Sequence, residues 1–402
     1  MSEQVSIVLV GIGGYGNTYV SALLQSEDKS WRLAGVVDPL ASKAPNYAAL
    51  QELKLPFYAT MEEFYAENSA DLAVIASPIQ FHCAQTCAAL EHGSNVLCEK
   101  PISAVIQEVE QMIAARDRAN RFVAIGYQWS FHPVTQALKA DVLAGLFGRP
   151  IRLRTMALWP RTDKYYGRNN WAGALQSPKG DWILDSPVNN ACAHYLHNML
   201  YVIGSAVDRS AAPATIQAEL YRANPITNYD TAALRVMTTC GAEILFYTTH
   251  AVSRSLGPEY IFEFEKGTVT YEYKTRIVRA TFRDGSSKEY GCPDSHYTTK
   301  LWDAIAACRG ERQIVCGLEA SMMHTLCVNG AQDSVPAVKE FPASWVYKAG
   351  VPGSQVRVMP GLAEQMLAAY KAGKLTSEVQ EQSWSQLGDV VPLRNYHHFP
   401  SR

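Results

Sequence analysis

The chain has 402 residues, 48% of them hydrophobic and 18% charged, with a formal net charge of −2. This is a globular composition of two- or three-domain length, and its near-neutral charge offers no basic field for nucleic acid. No apolar run approaches the ~20 residues that cross a bilayer, so no membrane partner is expected.

The opening "MSEQVSIVLVGIGG" carries no basic region ahead of a cleavable apolar segment. The nine cysteines are scattered and include no CxxC pair. Together these predict a cytoplasmic protein with reduced thiols, no disulfide framework and no zinc site. "VSIVLVGIGGYGNTYVSALLQ" reads as a buried strand, a glycine loop and a helix. Gly11, Gly13 and Gly16 fit G-x-G-x-x-G, with Gly14 and Tyr15 in the same loop. The first glycine allows a tight turn, the second a close backbone approach to a pyrophosphate, and the third close helix–strand packing. "RLAGVVD" predicts a second strand ending at Asp38, 22 residues past Gly16. A carboxylate there accepts hydrogen bonds from an adenosine ribose and repels a 2′-phosphate, so the expected cofactor is NAD.

The alternation continues with "DLAVIASP" as a strand, "FHCAQTCAALEHG" as a helix and "SNVLCEKP" as a strand. "AVIQEVEQMIAARDRAN" follows as a helix and "FVAIGYQW" as a strand. Strands alternating with helices predict a parallel doubly wound sheet, a Rossmann domain over residues 1–129, with ligands at the carboxyl ends of its strands. Those ends carry Ser77-Pro78, Glu99-Lys100-Pro101 and Tyr127-Gln128, and His82 opens the helix after the first of them. The expected cofactor set is therefore Gly11, Gly13, Gly14, Tyr15, Gly16, Asp38, Ser77, Pro78, His82, Glu99, Lys100 and Gln128.

The glycine motif, the "VVD" strand end, "CEKP" and "GYQWSFHP" (126–133) together resemble the glucose–fructose oxidoreductase/inositol dehydrogenase (Gfo/Idh/MocA) family. The similarity of pattern extends to about residue 335. It implies a Rossmann domain followed, over residues 130–402, by an α/β domain on a large, open, mostly antiparallel sheet. It also implies NAD(P)-linked oxidation or reduction of a secondary alcohol or ketone on sugars and cyclitols. By this resemblance Lys100 orients the substrate hydroxyl, and His194, ten residues before Gly204, transfers its proton. The pattern before that histidine is D-x-G-x-H, then x-x-D. Here Asn190 replaces the first aspartate, Cys192 the glycine and His197 the later aspartate, which alters the proton relay.

After Pro150, seven segments from "IRLRTMALW" to "RIVRATFRD" alternate at period two, predicting the antiparallel sheet. Its open face is a natural dimerisation surface, so a dimer or tetramer is expected. Between the first two strands runs "WPRTDKYYGRNNWAGALQSPKGDWILDSPVNN", and a loop of that length usually has a function. Its cationic and aromatic side chains suit a polyhydroxylated ring. The expected substrate set is Lys100, Trp129, Arg161, Tyr165, Arg168, Trp171, Asp185, Asn190 and His194. The tail beyond Val335 predicts one or two surface helices.

In "NNACAHYLHN" (189–198), His194 and His197 stand at i and i+3, which share a helix face. The spacing alone allows metal ligands, an acid–base pair or two packed histidines. No convergent carboxylate or cysteine cluster supports a metal, and none is expected. Imidazole titrates near neutrality, which suits taking and returning an alcohol proton. Lys100, His194 and His197 form the expected catalytic set of an NAD-dependent sugar or cyclitol dehydrogenase. Two alternatives are redox-neutral glycoside cleavage with recycled NAD and a nicotinamide-sensing regulator without turnover.

Overall fold

The computed structural model of the chain describes residues 4–401. It comprises two compact units. The first takes in the chain up to Ser103 with Gln107–His132 and His296–Met322, and the second takes in Ala104–Ile106, Pro133–Ser295 and the chain from Met323.

The first unit is built on β1 (Val5–Val10), β2 (Trp31–Val37), β3 (Phe57–Tyr58), β4 (Leu72–Ile75), β5 (Asn95–Cys98) and β6 (Val123–Ile125). They form one sheet in the order β3-β2-β1-β4-β5-β6, with every neighbouring pair parallel. β1 and β4 are buried along their whole length, as strands covered on both faces must be, which is why they read as unbroken apolar runs. Strand order reverses between β1 and β4, the switch point where such sheets bind ligands. Gly11, Asp38, Ser77, Glu99 and Gly126 follow the carboxyl ends of their strands at that edge. The helix Thr299–Cys308 also belongs to this unit and packs on β5 and the short turn Gln128–Phe131, with Lys300 on its buried face.

The second unit's sheet contains β7 (Pro150–Leu158), β8 (Pro213–Arg222), β9 (Thr231–Thr238), β10 (Glu243–Thr249), β11 (Leu256–Phe264), β12 (Gly267–Tyr271), β13 (Val278–Phe282), β14 (Ser287–Gly291) and β15 (Lys339–Glu340). The order is β14-β13-β12-β11-β7-β10-β9-β8-β15, with Val391–Pro392 pairing antiparallel onto β8. Most pairs are antiparallel; β10 with β7 and β15 with β8 are parallel.

One face of this sheet is covered over its central strands by the chain's own C-terminal segment. Met156, Leu158, Tyr221, Ala233, Leu245 and Tyr247 are buried there against Phe341, Leu362, Met366, Ala369, Tyr370 and Trp384 of the chain's own C-terminal segment. The helix Leu362–Ala372 supplies the apolar stripe, and polar anchors fix it. Arg154 Nη1 donates to the carbonyls of Tyr370 and Lys371, both at 2.9 Å, placing a cation on the helix's negative end. Arg235 makes a two-pronged pair with Glu378 at 2.6 Å. Past Ile261, the cross-strand neighbours on the same face are Thr270, Arg279 and Glu289, a polar row. The apolar part of the face is thus covered from within the chain, and the remainder is solvated.

Candidate functional site

At the glycine loop each glycine has a separate physical reason. A Cβ on Gly16 would lie 2.0 Å from the carbonyl oxygen of Gly11, so only glycine lets the helix Gly16–Gln25 start there. Gly11 has φ +78°, and a Cβ would lie 2.9 Å from Ser77 N. A Cβ on Gly13 or Gly14 would meet nothing within 4 Å, so the backbone is open on that side. The helix has no side-chain cap and no acidic residue in its first turn, which leaves its first N–H groups to an anion. Asp38 sits beside this loop, its carboxylate accepting from Ile12 N at 2.9 Å and Leu40 N at 2.8 Å. An open glycine backbone, an uncapped helix end and an adjacent carboxylate fit a dinucleotide.

The second cluster centres on Glu99. Its buried side chain accepts from Tyr19 OH and from Lys300 Nζ, and the backbone N–H of Lys100 donates to it at 3.1 Å. Gly126 makes room, since a Cβ there would lie 2.6 Å from the carboxylate. Lys300 is wholly buried, also donates to Gly126 O at 2.9 Å, and lies 4.5 Å from the Tyr15 ring centroid. Burial pushes the Lys300 ammonium below the usual lysine range, and Glu99 pulls it back. Lys100 stands half-buried at the end of β5, next to this pair, ahead of a cis peptide to Pro101. Tyr15 OH reaches Gln128 at 3.3 Å. Ser77 is half-buried and Pro78 exposed.

His82 and Trp129 are enclosed instead of presented to a ligand. His82 is held between two strand-end loops, Nδ1 at 2.8 Å from Pro101 O and Nε2 at 2.9 Å from Ser77 O. Trp129 is buried in the turn beneath Gln128.

In the second unit, the long loop after β7 brings Arg161, Tyr165, Arg168 and Trp171 together. The Arg168 guanidinium lies 3.7 Å from the Tyr165 ring centroid and 4.9 Å from that of Trp171, and Arg161 lies 5.0 Å from Tyr165. The loop's return passes through Leu184 at φ 49°, a left-handed conformation that costs a non-glycine residue about 1–2 kcal/mol. Asp185 follows, buried, accepting from Gly173 N at 2.6 Å and from Asn190 Nδ2 at 2.8 Å. His250, at the end of β10, completes this wall with Nδ1 at 2.9 Å from Tyr166 OH. Spacing singled out neither His250 nor Tyr166, and neither Lys300 nor Tyr19. The only signal for Lys300 was a lysine on the apolar face of "TTKLWDAIAAC".

The two histidines have different surroundings. Pro187–Ala191 forms a single π-turn, closed by Cys192 N to Pro187 O at 2.8 Å and capped by Ser186 Oγ, and the helix Ala193–Val202 follows. Such turns are frequent at functional sites. In that helix His194 is partly exposed, whereas His197 is 1% exposed and stacked on Tyr201. Burial drives His197 well below the usual histidine pKa, with the charges of His324 and Lys139 acting the same way. The two rings therefore differ in access, His194 being partly exposed and His197 enclosed against Tyr201.

His82, His197 and His250 are all held neutral chiefly by burial. A histidine whose folded pKa is depressed binds fewer protons than it does unfolded, so stability falls as pH drops below about 6.5. The expected loss is up to about 1.4 kcal/mol per histidine per pH unit until each folded pKa is reached. Thermal midpoints taken from about pH 7.5 to 5.5 check this, and His197→Phe should make the acid limb shallower. A flat profile in wild type would contradict it.

A family model described as an oxidoreductase family with an NAD-binding Rossmann fold matches residues 5–127. Inositol 2-dehydrogenase 1 of Saccharopolyspora erythraea is 23% identical over 319 residues, 75% of this chain and 90% of that protein. The scyllo-inositol 2-dehydrogenase (NADP(+)) IolU of Bacillus subtilis is 24% identical over 299 residues, 72% of this chain and 84% of its own. Among solved structures, the WlbA dehydrogenase from Bordetella pertussis in complex with NADH and UDP-GlcNAcA superimposes with a TM-score of 0.66 at 20% identity. That match covers 82% of this chain and 97% of the other, and it shows a shared fold. Residues 5–127 are thus the NAD-binding Rossmann domain of the Gfo/Idh/MocA family of oxidoreductases.

Proposed function

We propose that this oxidoreductase moves a hydride between NAD and a secondary alcohol or ketone of a sugar, sugar derivative or cyclitol. The observation that carries the reading is the Glu99–Lys300 pair, which fixes the strand end bearing Lys100 at the cofactor edge of the Rossmann sheet. The two inositol dehydrogenases among its relatives support the substrate class. Bound NAD supplies the hydride acceptor. Lys100 binds the reacting oxygen through its ammonium, and His194 takes the hydroxyl proton in oxidation and returns it in reduction. His197, enclosed against Tyr201, takes no part in that transfer. Purified protein with NAD and a panel of sugars and cyclitols, followed by NADH absorbance and product analysis, tests the reading. NADH and a ketone product are expected from at least one of them. No turnover of any of them in either direction would contradict it.

Asp38 sets the cofactor preference. Its carboxylate, held by Ile12 N and Leu40 N, crowds a ribose 2′-phosphate with like charge. NAD should bind about tenfold or more ahead of NADP, since ~1.4 kcal/mol of repulsion suffices. Asp38→Ala should narrow that gap. Titration calorimetry decides it, and equal wild-type affinities would show that this carboxylate does not read the ribose.

A further inference from the structure

The wall of the second unit gathers two guanidiniums and a buried histidine; Arg161 Nη1 donates to Pro160 O at 3.3 Å and Arg168 Nη1 to Tyr165 O at 2.5 Å. His250 is 2% exposed, and its Nε2 is buried without a hydrogen-bond partner. Tyr166 OH meets the other ring nitrogen at 2.9 Å. Burial keeps the Tyr166 phenol protonated and the His250 ring neutral. With the phenol donating to Nδ1, the single proton of the neutral ring sits on Nε2 as a donor. The buried Nε of Arg161 likewise has no partner. Its neighbour Arg168 is fixed in direction by stacking between Tyr165 and Trp171.

Among the described residues, neither guanidinium makes an ion pair within 4.0 Å. The nearby carboxylates are committed elsewhere. Asp185 accepts from Gly173 N and Asn190 Nδ2. Asp230 accepts from Ala223 N, Asn224 N, Asn224 Nδ2 and Thr231 Oγ1. Leaving buried donors unmade is costly, so such groups in a native site point to a ligand atom that completes them.

We propose that Arg161, Arg168 and His250 form an oxyanion subsite that takes the carboxylate of an acidic sugar. The inference deepens the dehydrogenase reading, on which it rests for the sugar ring. Arg161 presents a planar guanidinium suited to a carboxylate, and the His250 N–H adds a fixed neutral donor. Charge-assisted hydrogen bonds of this kind contribute enough for roughly 10–100-fold in affinity.

The test measures binding separately from turnover. Titration calorimetry on the full chain loaded with NAD compares matched pairs: glucose with glucuronate, galactose with galacturonate, and each sugar with its 6-phosphate. At least one uronate should bind roughly 10–100-fold tighter than its neutral parent. Arg161→Met should abolish that preference, whatever it does to the affinity of the neutral parent, and His250→Phe should reduce it. If a uronate shows this preference yet forms no NADH, the subsite stands and the dehydrogenase reading falls. If no uronate exceeds its parent, or if the preference survives Arg161→Met, the subsite is overturned. Preference for the 6-phosphate alone would overturn the carboxylate assignment.

Discussion

Lys100→Ala and His194→Ala should each lower turnover by about 10²–10⁴ while leaving NAD affinity within a few-fold of wild type. On the proposed reading a positioned cation and a positioned base act on the reacting oxygen, whereas the glycine loop and Asp38 would hold the dinucleotide, and neither substitution touches them. The geometry of the strand end supports the lysine. The Glu99 carboxylate is already met by Lys300, Tyr19 and the Lys100 backbone N–H, so it fixes the backbone from which the Lys100 side chain extends. His194 is the partly exposed member of a helix in which Ala193, Tyr195, Leu196 and His197 are all buried. Single-turnover NADH formation gives the rate and titration calorimetry gives the cofactor affinity. His197→Ala should cost less turnover than His194→Ala, because it removes a packed ring and not a reacting group. A His194→Ala protein with near-normal turnover would exclude that residue as the base.

Lys300→Met should destabilise the protein by about 3–5 kcal/mol, the range for breaking a buried ion pair and leaving one charge uncompensated. Lys300 is wholly buried and Glu99 nearly so. The double variant Glu99→Gln with Lys300→Met removes the stranded charge and should recover a substantial part of the loss. Urea unfolding of wild type, the single variant and the double variant reports the three values. A single variant as stable as wild type would show that the pair contributes nothing to the fold. The same substitution should also lower turnover, since the strand end loses its brace, and the double variant need not restore that.

Strand periodicity made the Rossmann sheet readable, because strands covered on both faces must be apolar throughout. β3 escaped notice because two residues carry no period. The glycine loop and Asp38 were legible for a related reason: their geometry is local, and a turn, a close approach and a strand end are encoded within a few residues. The Glu99–Lys300 pair was not, since the partners lie 201 residues apart and meet only through tertiary packing. His197 shows the limit of spacing arguments. Helical phase places i and i+3 on one side, but it does not say how much of that side is packed, and the π-turn before Ala193 changes how the helix is entered. The tail's amphipathic stripe in "LAEQMLAAYKA" was visible as a surface helix. That it covers the sheet's apolar outer face depends on Arg154, Tyr247 and Arg235, none of them near it in sequence. His250 was invisible for the same reason, because an unmade hydrogen bond is a property of the folded wall and not of "YTTHAV".

The most direct measurement is isotopic. A substrate found by turnover is prepared with deuterium on the carbinol carbon and oxidised by the wild-type protein with NAD, and the NADH is analysed by mass spectrometry and proton NMR. Hydride transfer from the secondary alcohol predicts one deuterium in each NADH formed, on the nicotinamide ring, with a ketone as the accumulating product. Deuterium released to water, or retained in a product with no NADH accumulated, would contradict the account.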